Sequence, residues 1–130
     1  MTEEQLREEF EATTLDPAVF KHREHVRLAW HYLQNHPLID VLRIFPDNLK
    51  RYATAIGKPT LYHQTITWAF LMIIAERMDD SERDWASFAS ANQDLVEDCA
   101  GTLRRYYRDE TLAQPEARTR FLMPDRLGAE

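Results

Sequence analysis

Cysteine, glycine and long apolar runs are all scarce in this chain of 130 residues. The single cysteine, Cys99, excludes an internal disulfide and fits a reducing compartment. Three glycines are too few for the tight turns of an all-β fold. There is no Gly-rich phosphate loop, no nucleophile elbow and no CxxC pair. No apolar run reaches the roughly 20 residues that a membrane span needs. The opening MTEEQLREEF is acidic and lacks the apolar core of a secretion signal, so the cytoplasm is the expected compartment. Repeats, low-complexity segments and interdomain linkers are missing too. A net charge of −6 argues against general nucleic-acid binding.

What is present is a sizeable core: 44% of the residues are hydrophobic and 11% aromatic, enough for one folded domain over 1–130. No stretch alternates with period two. The expected class is all-α, a single-domain bundle of about six helices around a buried central helix at 61–78. That stretch reads LYHQTITWAFLMIIAERM and is apolar on every side from Ile66 to Ala75. Gly57 and Pro59 mark its start, and Thr60 is the expected cap. His63 then falls in the first turn, on a stripe with Ile66, Thr67, Phe70 and Ile74.

Around it, Thr2 and Gln5 form a capping box for a short helix carrying Leu6 and Phe10. The segment FKHREHVRLAWHYLQNHP is amphipathic. It puts His22, His25, Val26, Ala29 and Tyr32 on the packing face, and Arg27 and His31 outside. A third helix runs from 38 to 56, and Pro46 should kink or split it near Phe45. Ser81 with Asp84 reads as a cap for a helix through Trp85 and Phe88. Asn92 restarts the chain toward Leu95, Cys99 and Leu103. Pro115 opens a last helix with Ala117, Phe121 and Leu122 on one side.

His22 and His25 stand three apart, so both can point to one place from one helical turn. His63 would join them from a facing helix. Three such imidazoles make a plausible site for one transition metal, Zn²⁺, Fe²⁺ or copper, with an open position. The expected metal ligands are His22, His25 and His63, and the expected catalytic groups His63, Thr67 and Tyr62. The plainer reading is that each histidine bonds a carbonyl or a carboxylate. Thr65 is expected to back-bond to the preceding turn. Gln64 caps or faces a neighbouring helix. Arg27 reads as one half of a surface ion pair. Arg104, Arg105, Arg108, Arg118, Arg120 and Arg126 balance the acidic residues rather than bind nucleic acid. Trp30, Trp68 and Trp85 read as core, and Cys99 as an inert thiol.

The blocks FKHREHVRLAW, RYATAIGKPTLYHQTITWAF, WASFASANQDL and RRYYRDETLAQPEARTRFLMPD resemble a group of small, uncharacterised bacterial proteins. The resemblance covers about residues 20–125. It implies an HxxHVRLAW…YH(E/Q)TIT pattern grouping His22, His25, Tyr62, His63, Thr65 and Thr67. In that group position 64 is usually glutamate, and this chain has Gln64. No activity follows from the resemblance.

The leading functional expectation is a histidine-lined pocket that binds one metal and acts on a small molecule. One alternative drops the metal and uses a histidine as general base or ligand contact. Another is an interaction or regulatory module, a homodimer among its forms, with structural histidines and an apolar patch near the C-terminal tyrosines and Phe121.

Overall fold

The structure is a computed structural model that describes residues 1–80 and 84–126. Among the described residues every regular element is helical. Nine α-helices follow in order: α1 (Glu3–Glu11), α2 (His22–Asn35), α3 (Leu38–Ala55), α4 (Gln64–Arg77), α5 (Trp85–Ala91), α6 (Gln93–Glu97), α7 (Cys99–Arg104), α8 (Asp109–Leu112) and α9 (Pro115–Thr119). A 3₁₀ turn, Pro59–Leu61, precedes α4. The all-α expectation holds. The expected six helices become nine because short polar breaks divide the C-terminal half. Asp98, for instance, ends α6 and caps α7 by accepting from the Gly101 N–H. Ser81 lies outside the described residues; Asp84 itself caps α5, accepting from the Ser87 N–H. The expected helical pairing of Phe121 and Leu122 with Ala117 fails, since α9 stops at Thr119.

α1 has the expected capping box between Thr2 and Gln5. Its two core residues fix the first layer. Phe10 is fully buried, with ring centroids of Phe20, Phe45 and Tyr52 at 5.5, 5.6 and 5.8 Å. α2 and α3 pack on this layer, and α4 packs on both. Of the fourteen residues of α4 only Glu76 is exposed. The short helices after it close its remaining sides, α9 most directly. Arg77 ties the end of α4 to α6 by two bonds to Asp94, 2.8 and 3.0 Å.

Pro46 sits inside α3 without splitting it. A proline there removes the N–H that would reach the Leu42 carbonyl. The indole Nε1–H of Trp68, on α4, donates to that carbonyl at 3.0 Å. Of the kink or split expected from sequence, the split does not occur, and the carbonyl that the proline leaves without its helical partner is met by a neighbouring helix.

Trp68→Phe keeps a ring but removes that donor, and should lower urea-denaturation stability by roughly 1 to 2 kcal/mol. In a Pro46→Ala background the penalty should shrink to under about half, because the alanine N–H supplies the missing bond. Equal penalties in the two backgrounds would show that the indole does not compensate for the proline.

Candidate functional site

The 3₁₀ turn ends at Leu61 and α4 begins at Gln64, so the central helix is three residues later than the sequence pattern indicates. The cap is His63, not Thr60: His63 Nδ1 accepts the Ile66 N–H at 3.1 Å. The other ring nitrogen, Nε2, lies 2.9 Å from the Leu112 carbonyl, which can only accept. His63 is thus an Nε2–H tautomer with its lone pair already engaged. Its carbonyl receives the Thr67 hydroxyl at 2.7 Å. Back-bonding falls to Thr67 rather than Thr65. Thr65 instead donates to the Arg120 carbonyl at 2.9 Å and accepts the Leu122 N–H at 3.1 Å. Arg118 donates to the Thr60 carbonyl at 2.8 Å. The extended chain after α9 is strapped across the start of α4 by these bonds.

Between α2, α3 and the 3₁₀ turn lies a cavity of about 360 Å³, lined by His25, Tyr52, Lys58, Tyr62 and His63 among mainly apolar neighbours. A recess of about 120 Å³ adjoins it, lined by His22, Phe45, Phe70, Ile74 and Cys99. His25, Leu49, Ile66 and Thr67 line both. A larger depression of about 580 Å³, between α1 and the end of α3, is an open surface groove edged by Lys50 and Arg51 and holds none of the singled-out residues.

His25 stands where the two spaces meet. Its ring stacks on Phe20, with centroids 3.8 Å apart and planes at 13°. Desolvation, then the neighbouring His22, lowers its pKa from 6.5 to about 4, with the Phe20 backbone opposing. His25 is therefore neutral at pH 7. Tyr62 donates to Gln64 Oε1. Burial pushes the Tyr62 phenol up to about 12, against the nearby Thr67 hydroxyl and with Asp47. Burial likewise raises the Cys99 thiol, which keeps it protonated.

The three histidines come together in pairs, not as one ligand set. His25 and His63 share the cavity; His22 and His25 share the recess. His22 Nε2 faces the Leu95 carbonyl at 3.0 Å, so it too is a donor. Among the described residues no group of three or more His, Cys, Asp or Glu side chains is placed to hold a metal ion. Of the expected catalytic groups, the lone pair of His63 and the protons of Thr67 and Tyr62 are engaged in hydrogen bonds. Arg27 pairs with Glu3, as the surface reading has it. Sequence reasoning missed Phe20, Leu49, Tyr52 and Lys58 as lining residues. The apolar spacing of Phe20, Leu49 and Tyr52 announces burial, but nothing in it distinguishes a cavity wall from a packed core, and Lys58 reads as an ordinary exposed lysine. No helix among the described residues is long and apolar enough to cross a membrane. No family model, curated protein or solved structure matches the chain.

The depressed pKa of His25 has a sign. The unfolded chain takes up this proton near 6.5 and the folded one only near 4. Stability from this group is whole above pH 6.5 and is lost as the pH falls to 4, by no more than about 3 kcal/mol. His25→Phe should flatten that part of the stability profile relative to wild type. Parallel profiles from pH 7 to 4 would contradict the assignment.

Proposed function

We propose that the protein binds a small, mainly apolar organic molecule in the cavity between α2, α3 and α4, with His25 as its principal polar contact. The observation that carries this reading is the neutral His25 ring at the junction of two adjoining spaces with largely apolar walls. Ligand pockets have this make-up, an apolar lining with a few placed polar groups. Binding is favoured over general-base catalysis because a base with a pKa of about 4 has little proton affinity at neutral pH. It is favoured over a metal centre because His63 has no lone pair to give.

The test is a titration of native protein with small aromatic ligands, followed by amide NMR. Shifts should concentrate at His25, Ile66 and Thr67. Ile66→Phe, which narrows the junction, should weaken binding at least tenfold with the helical spectrum unchanged. Exhaustive chelation should leave the affinity as it was. Ligands that perturb only the surface, or binding lost with a chelated metal, would overturn the proposal.

A further inference from the structure

The outer end of the cavity carries a charge that no partner in the fold neutralises. α3 ends on Gly57, whose φ of +78° turns the chain out of the helix. The Gly57 N–H donates to the Thr54 carbonyl at 3.0 Å and the Lys58 N–H to that of Ala53 at 2.9 Å, so the backbone of Lys58 is fixed against the end of α3. Lys58 lines the cavity and is exposed, as are Pro17 and Leu61, which also line it. Among the described residues it is the one Lys, Arg, Asp or Glu in either lining, and it forms no ion pair. A second ammonium stands near the same wall: Lys50 Nζ lies 5.1 Å from the ring centroid of Tyr62. The acids that act on the walls, Asp16 on Tyr52 and Asp47 on Tyr62, are exposed and do not line the space. Inward of Lys58 the charge disappears. None of the residues lining the adjoining recess is exposed, and none is Lys, Arg, Asp or Glu. His25, where the two spaces meet, is neutral at pH 7.

From this gradient we infer that the cavity takes an apolar monocarboxylate, its acid group held at the mouth beside Lys58 and its body running inward past Leu49 and Ile66. The inference rests on the binding role proposed above and narrows its ligand class. At the mouth a carboxylate keeps part of its water and gains the attraction of an ammonium group. The flexible stem of Lys58 lets that ammonium follow a head group that the walls do not clamp. Farther in, the carboxylate would lose its water with no cation to compensate. The body gains instead, by about fourfold in affinity for each methylene removed from water. A cationic head would meet Lys58 as a like charge, and a neutral head would forgo the attraction.

Octanoate, 1-octanol and octylammonium share a chain and differ in the charge of the head. Calorimetric or NMR titration of the full chain at pH 7 and low salt should show octanoate binding about threefold tighter than 1-octanol and about tenfold tighter than octylammonium. Lys58→Gln should bring octanoate down to the 1-octanol level and leave 1-octanol within about twofold. Lys58→Glu reverses an exposed charge that no ion pair holds, and should make octylammonium the tighter of the two ions. Nuclear Overhauser contacts from the terminal methyl of octanoate should reach Leu49 or Ile66. If 1-octanol or octylammonium binds as tightly as octanoate, or if the advantage of octanoate persists in Lys58→Glu, the head-group rule is overturned and the cavity reading survives. Methyl contacts confined to Pro17 and Leu61 would overturn the inward direction of the body, and the inference with it. If no probe perturbs His25, Ile66 or Thr67, both readings fall.

Discussion

A helix with no polar face tolerates no open side. α4 is such a helix, and its burial sets the demands on the rest of the chain. Its apolar surface requires cover from α2 and α3 on one side and from the C-terminal segment on the other. The short helices α6 to α9 have too few residues to hold their form alone. They are ordered by what they cover. Tyr107, fully buried, donates to the Leu122 carbonyl at 2.7 Å and so fastens the last segment to the turn after α7.

Burial of α4 brings polar groups inside with it, and each must find a partner. Thr65 is fully buried and bonds the backbone on both sides of Phe121. Thr67 satisfies itself on its own helix. His63 caps the first turn and reaches across to α8. The same logic explains Pro46: the carbonyl that it orphans is answered by Trp68. The polar residues at the head of α4 are thus explained by its burial before any chemistry is asked of them. His25 differs. It is held by stacking on Phe20 and borders open space.

This division separates what could be read in the sequence from what could not. The all-α class, the Thr2–Gln5 box, the isolation of the 66–75 run and the inward turn of His25 follow from spacing alone, because periodicity encodes burial. The start of α4 did not, since a histidine is an uncommon cap and Thr60 carried the stronger local signal. Nor did the continuity of α3, because the donor that rescues Pro46 comes from a residue 22 positions later, Trp68. The convergence of histidines was half legible. Spacing put His22 and His25 side by side, but which nitrogen of each ring is engaged depends on the Leu95 and Leu112 carbonyls. Those contacts are tertiary, and no pattern within one helix contains them.

Position 64 shows how a residue behind the cavity wall acts on one that lines it. Gln64 does not line the cavity, yet its Oε1 takes the proton of Tyr62, which does. A glutamate at this position would accept the same proton, so the exchange of one for the other conserves the direction of that bond. It would also place a full negative charge beside a half-buried phenol whose pKa burial has already raised. The amide provides the acceptor without that charge. The Tyr62 and Tyr52 hydroxyls and the His63 Nε2–H are accordingly held by acceptors outside the wall, the Gln64 amide and the Leu15 and Leu112 carbonyls. Of the three acceptors only that of Gln64 is a side chain, so a substitution there that removes the acceptor would release the Tyr62 proton without touching any lining residue.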